Sequence, residues 1–225
     1  MRSLRRTSEV QCPESPIVTP VQGVELSLFI MAILGSLFFV DQTGVLRLRE
    51  VYQVKSSLTF VLERVNPVIA FLGHGATLIT GSAVLCVGGR FLSGKVYSLG
   101  KTLLISLLSA GVTVQLVKHL VGRARPRISD TPLFIGPSLR SGYDSFPSGH
   151  TTLAFAFAWI LSGYFPSYRV LFYLFAVAVG FERVGDLAHF PSDVLAGAVI
   201  GVIVAQVVSV KMFKGQEVAV CRKEN

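Results

Sequence analysis

Ser145-Phe146-Pro147-Ser148-Gly149-His150 stands between a basic loop and an apolar run. Proline suits the first turn of a helix, where its missing N–H costs nothing. The apolar run therefore predicts a helix that begins here, with Pro147 in its first turn. The amides of Ser148 and Gly149 would then lie at a helix N-terminus. Unpaired N–H groups and the helix dipole favour an anion at such an end. Gly149 has no side chain to hold a phosphate away from the backbone. His150 follows in the same turn and can carry a proton to or from whatever binds.

The surrounding chain is apolar. Its 225 residues are 51% hydrophobic and 15% charged, with a mean hydropathy of +0.60. A soluble domain is less apolar than this, so the composition predicts an all-α polytopic membrane protein. Six runs suit spanning helices: Gly23–Val40, Pro67–Val87, Tyr97–Val117, Ser148–Phe165, Arg169–Val184 and Asp193–Val210. His74 falls inside the second run, where the expected role is a hydrogen bond to a neighbouring helix. Gly197 and Gly201 give the last run a face for close helix packing.

Between the first two runs, Gln42–Asn66 places apolar residues at helical spacing and Arg47, Arg49, Glu50, Gln53 and Lys55 on other faces. This pattern fits a helix lying in the membrane interface or a short helical cap, and equally a solvated helical loop. The expected organisation is a mobile tail over 1–22, a six-helix membrane domain over 23–210 and a second tail over 211–225. The N-terminal tail is a poor signal peptide, because its arginines stand far from the apolar run.

The net charge is +8. The basic residues lie mostly between apolar runs, which points to lipid headgroups or a bound phosphate and away from nucleic acid. Six spans put both termini on one side, together with Arg2, Arg5, Arg6, Arg90, Lys95, Arg169 and the Lys211–Lys223 segment. The positive-inside rule makes that side cytoplasmic. Cys12, Cys86 and Cys221 form neither a disulfide framework nor a metal spacing.

Parity brings three polar clusters to the opposite, outer side. They are Lys118-x6-Arg125-Pro126, Pro147-Ser148-Gly149-His150 and Arg183-x5-His189-x3-Asp193. Seven residues make two helical turns, so Lys118 and Arg125 share a face if the helix continues that far, with Pro126 at its end. Each cluster alone is often no more than a solvated charge at a span end. Together they bring two histidines, an aspartate, three cations and a helix N-terminus to one depth.

That set suits phosphoryl transfer. Lys118, Arg125 and Arg183 would hold phosphate oxygens, and the amides of Ser148 and Gly149 would complete the cradle. Fixed cations can spread transition-state charge as metal ions do elsewhere. A carboxylate at Asp193 would fix Nδ1–H of His189 and leave Nε2 as a nucleophile. His150 then serves as the acid that protonates the departing oxygen. No acidic or histidine cluster has convincing metal spacing, so neither a metal nor another cofactor is expected.

These motifs resemble those of the type-2 phosphatidic acid phosphatase superfamily. The first motif is complete at Lys118, Arg125 and Pro126, and the second at Pro147–His150. The third is matched at Arg183, His189 and Asp193, but Glu182 replaces the family's serine. The resemblance covers roughly residues 101–201. It implies a six-helix core, a phosphohistidine at His189, an acid at His150 and a metal-independent reaction. Glu182 is expected to pair with Arg183, and with Arg123 it is a candidate for setting substrate range.

The function this implies is hydrolysis of a phosphate monoester or diphosphate from a lipid headgroup at the outer leaflet. Undecaprenyl diphosphate, phosphatidylglycerophosphate, phosphatidate and phosphorylated lipid A are the substrate classes. The wording of Lys118–Arg127 resembles bacterial members, which favours undecaprenyl diphosphate or lipid A as substrate; the expected location is a bacterial cytoplasmic membrane with the site facing the periplasm. A phosphotransferase that passes the phosphate to an acceptor lipid fits the same motifs. A vanadium haloperoxidase shares the site's resemblance, but its family is soluble and the apolar runs oppose it. A binding or transport protein would need only the cations, so His150, His189 and Asp193 oppose that reading too.

Overall fold

Glycine, proline and polar residues stand at most of the helix boundaries of this protein. The structure, a computed structural model, describes residues 28–223 apart from 29, 34 and 54–56. A π-helical turn, Ser36–Val40, runs directly into α1, Asp41–Gln53. Then follow α2 Ser57–Leu72, α3 Gly75–Leu92, α4 Gly94–Val121, α5 Gly149–Tyr164, α6 Arg169–Gly185 and α7 Pro191–Lys223. Pro166 opens a 3₁₀ turn, Pro166–Tyr168, between α5 and α6. Among the described residues the only β-pairing is a single bridge between Arg123 and Phe134.

The chain is an integral membrane protein. Among the described residues, three helices are long and apolar enough to cross a bilayer: Gly75–Leu92, Gly94–Val121 and the Pro191–Met212 part of α7. Large side chains such as Phe71, Phe91, Val170 and Phe181 are exposed on the bundle's flanks. A soluble surface would tolerate few of these, but lipid tails solvate them readily. The core is small and tight. Leu103, Leu107 and Ala110 of α4 meet Leu153, Ala156 and Ile160 of α5 and Ala205 of α7.

Gly197 and Gly201 do pack closely, as their spacing predicts. A Cβ at Gly197 would lie 2.6 Å from the Ser148 carbonyl oxygen, and one at Gly201 2.2 Å from that of Thr152. This approach lets α5 and α7 start side by side.

Three expectations are corrected: the second span, the place of His74 and the second tail. The apolar run 67–87 is not one helix. Chain direction changes at Gly73-His74, so α2 ends at Leu72 and α3 begins at Gly75. Gly73 packs against Val179, where a Cβ would come within 2.6 Å of a methyl. His74 is therefore not mid-helix. It is the N-cap of α3, and its Nδ1 accepts from the Ala76 amide at 3.2 Å. The segment 42–66 forms α1 and most of α2, with 54–56 outside the described residues. Arg49 of α1 reaches the loop after α4, donating to the Pro126 carbonyl at 2.9 Å and pairing with Asp130 at 2.7 Å. The expected 1–22 tail also lies outside the described residues. Over 211–223 the expected second tail continues α7.

Candidate active site

Helix α4 does not continue to Arg125. Gly122 takes a left-handed φ of 59°, its N–H caps the Lys118 carbonyl at 3.0 Å, and the helix ends at Val121. A Cβ at Gly122 would sit 1.8 Å from the Gly136 oxygen, so only glycine fits. The loop beyond folds back on itself. Ala124 N–H donates to Leu133 O at 2.8 Å, Arg125 N–H to Gly142 O at 2.9 Å and Ser145 N–H to Arg123 O at 2.9 Å. This return brings the Ser145–His150 stretch beside the end of α4.

Lys118 and Arg125 thus converge through Asp144, not along one helix face. Arg125 binds the Asp144 carboxylate through Nε at 3.0 Å and Nη2 at 2.7 Å. Lys118 Nζ donates to the Asp144 carbonyl at 2.8 Å and lies 3.7 Å from its carboxylate. Burial alone pushes the Asp144 carboxyl up, but its bond to Arg125 and the charges of Arg125 and Lys118 outweigh this and hold it below the usual carboxylate range. Sequence reading passed over Asp144. Its place next to Ser145 was the available signal.

The helix of the opening stretch starts two residues after Pro147. Ser148 is the N-cap and Gly149 the first helical residue. Ser148 cannot offer its amide to a phosphate, because that N–H donates to the Asp193 carbonyl at 2.9 Å. Its own carbonyl accepts from the Thr152 amide at 3.0 Å and hydroxyl at 2.8 Å. Ser148 therefore fastens α5 to α7, and the cradle begins at Gly149. Lys118 lies alongside, with its Cε 3.8 Å from where a Gly149 Cβ would be. His150 meets the ring of His74 edge-on at 5.2 Å between centroids. The helix break at Gly73-His74 thus makes His74 a third histidine of this site.

His189 is buried between α6 and α7. Its Nδ1 lies 2.7 Å from the Ser145 carbonyl oxygen. A carbonyl only accepts, so Nδ1 carries the proton and Nε2 the lone pair. Asp193 was expected to supply that contact, yet its Oδ2 is 3.6 Å from Nδ1. Asp193 is committed elsewhere. It accepts from Ser145 Oγ at 2.5 Å, from the Phe190 amide at 2.8 Å and from Arg123 Nη1. Burial pushes the His189 imidazole below its ordinary pKa, against the opposing pull of Asp193.

Arg183, at the end of α6, is clasped by both carboxylate oxygens of Glu182, the ion pair expected at the family's serine position. Arg123 is not at the mouth of the site, so it cannot read substrate directly. It is fully buried between Asp193 and Asp41, the latter at 2.6 Å.

Six helix ends or starts therefore meet at one place, bearing Asp41, His74, Lys118, His150, Arg183 and Asp193. Residues 99–217, more than half of the chain, match the PAP2 superfamily. The chain belongs to that superfamily. The matched span contains every motif residue on which the sequence resemblance rests.

The chain is also similar to curated proteins and to solved structures. A lipid A 1-phosphatase of Rhizobium johnstonii is 41% identical over 106 residues, which is 46% of this chain and 43% of that protein. This chain thus matches less than half the length of that curated relative. The crystal structure of LpxE from Aquifex aeolicus aligns over 73% of this chain and 92% of its own, at a TM-score of 0.53 and 29% identity. A transmembrane PAP2 type phosphatidylglycerolphosphate phosphatase from Bacillus subtilis aligns over 85% and 96%, at a TM-score of 0.61 and 22% identity. The latter speaks for the fold alone. Asp144, inside the matched span, and Asp41 and His74, outside it, are site neighbours that the motifs do not include.

Proposed function

We propose that this chain is a membrane lipid phosphatase that works through a phosphohistidine at His189 and needs no metal. Nε2 of His189 attacks phosphorus and the bond to the lipid oxygen breaks. His150 gives that oxygen a proton. Water then attacks the phosphohistidine, its proton returns to His150, and the P–N bond breaks to release phosphate. Lys118, Arg125, Arg183 and the Gly149 end of α5 carry the phosphate charge throughout. The single observation behind this reading is the Ser145 carbonyl on Nδ1 of His189, which leaves Nε2 with a free lone pair.

The substrate belongs to the lipid A, undecaprenyl diphosphate, phosphatidylglycerophosphate or phosphatidate class. The names of the relatives lend most weight to lipid A. We read the domain as residues 23–210 with six spans, the site on the outer face of a bacterial cytoplasmic membrane and both termini inside. The meeting of alternate helix ends at one place supports this topology, and so does the distribution of basic residues.

The test is phosphate release by the purified protein in detergent, with excess chelator, across a panel of lipid phosphates. Release that survives chelation and vanishes in His189→Ala is the expected result. Retained hydrolysis in His189→Ala would sink the nucleophile assignment. Release only when an acceptor lipid is added would make the protein a phosphotransferase.

A further inference from the structure

We propose that Asp41 is a positioning residue that sets the charge behind the nucleophile, acting through Arg123 and Asp193. The inference rests on the phosphohistidine reading above.

Asp41 is fully buried where the π-helical turn enters α1. Its carboxylate accepts from Arg123 Nη2 at 2.6 Å, from the Ser192 amide at 3.0 Å, from the Ser192 hydroxyl and from Ser36 Oγ at 3.2 Å. Arg123 uses its other nitrogen, Nη1, on Asp193 and on Ser192 Oγ at 2.7 Å. Its guanidinium carbon lies 4.2 Å from the Phe190 ring centroid and 5.1 Å from that of Phe134. Ser192 and Asp193 are adjacent, so both carboxylates grip one arginine at the start of α7.

The charge count makes this more than a structural clamp. Two carboxylates and one guanidinium leave one net negative charge, fully enclosed. Burying a charge is costly, and one carboxylate already neutralises Arg123. Asp41 therefore adds the excess charge. The group that gains from it is His189. Attack by Nε2 turns a neutral imidazole into a phosphorylated cation that keeps its Nδ1 proton on Ser145. An anionic cluster behind the ring stabilises that cation as it forms.

The other charged groups facing His189 do not supply this. Lys118 from α4 and Arg125 from the loop are positive, and Asp144 and the phosphate answer them. His150 from α5 faces it as well. Arg183 of α6 is paired with Glu182. Asp193 from α7 is the nearest carboxylate, but Arg123 cancels its charge unless Asp41 is ionised.

The experiment is a charge series: Asp41→Asn, Arg123→Gln and the double variant. Its readouts are kcat/KM for phosphatidate in detergent micelles against pH, and the ring ¹⁵N titration of His189. Asp41→Asn makes the cluster neutral. Its acid limb is expected to move to lower pH, and kcat to fall about tenfold with KM within about twofold. Arg123→Gln leaves two negative charges and moves the limb upward. The double variant keeps one negative charge, contributed by Asp193, and its limb returns to the wild-type position. A limb that stays fixed in Asp41→Asn overturns the proposal. If either single variant fails to fold, the double decides: a wild-type limb supports the charge count and a displaced limb refutes it. Failure of the phosphohistidine reading shows separately, as hydrolysis that persists in His189→Ala whatever Asp41 does.

Discussion

Nδ1 of His189 is 2.7 Å from the carbonyl oxygen of Ser145 and 3.6 Å from the nearer oxygen of Asp193. A backbone group therefore fixes the tautomer, and the aspartate fixes the backbone. Asp193 does this by holding Ser145 Oγ, on the residue whose carbonyl meets the ring, and the Phe190 amide next to His189.

Ser145→Ala removes the hydroxyl but keeps the carbonyl. Groups that orient a functional imidazole are worth about 10–100-fold. We expect Ser145→Ala at the lower end, with kcat down about tenfold and KM unchanged. Asp193→Ala strands the Ser145 hydroxyl and the Phe190 amide and takes one of the two carboxylates from Arg123. Its kcat should fall by at least about 100-fold, and thermal unfolding should report a loss of about 3 kcal/mol. Equal effects of the two substitutions would contradict this division of roles.

The pH dependence follows from the burial of His189. Its folded pKa lies below the reference value of about 6.5 for histidine. The nucleophile must be neutral, so hydrolysis should persist below pH 6.5 and fail only at the lower, folded value. Stability runs the same way. The unfolded chain takes up the proton first, so this histidine's contribution is complete above about 6.5 and is lost as pH falls toward the folded pKa. Rate profiles and unfolding midpoints between pH 4 and 8 check both statements. An acid limb above 6.5 would contradict them.

Asp144 occupies the two cations that a phosphate would use. Asp144→Asn keeps its shape and removes its charge. Lys118 and Arg125 then face the site with one more net positive charge. Inorganic phosphate should inhibit hydrolysis at about 5–10-fold lower concentration than in wild type, a gain of roughly 1 kcal/mol. The effect should shrink as salt is raised. Unchanged inhibition would show that phosphate binds without displacing this carboxylate.

Two glycines of α4 and its cap make opposite predictions. At Gly122 a Cβ meets the Gly136 oxygen at 1.8 Å and φ is left-handed, so Gly122→Ala should destabilise by at least about 2 kcal/mol and loosen the loop that carries Ser145. At Gly111 a Cβ meets nothing within 4 Å, and Gly111→Ala should be neutral or stabilising by up to about 1 kcal/mol. Thermal unfolding in one detergent compares them directly.

Much of this protein is legible along the chain. Runs of apolar residues bounded by Pro, Gly and charge mark α4, α5, α6 and the start of α7 to within a few residues, because helix periodicity and breaking are local. The small faces of Gly197 and Gly201 are local in the same sense. The break at Gly73-His74 is harder to read. Histidine and glycine inside an apolar run do not force a stop, and it is packing of Gly73 against Val179 of α6 that makes one.

The sequence by itself determined the residue types the chemistry needs, their spacing within each motif, and a membrane helical architecture to carry them. Composition and periodicity are properties of the chain and survive without a fold. Only the tertiary structure decided which of these groups are partners. It spent the Ser148 amide on α7, set a backbone oxygen closer to Nδ1 of His189 than Asp193, withdrew Arg123 from the surface and brought in Asp41 from 82 residues away. Hydrogen bonds and ion pairs form wherever donors and acceptors are pressed together out of water, and that juxtaposition is set by helix packing, which no local pattern encodes.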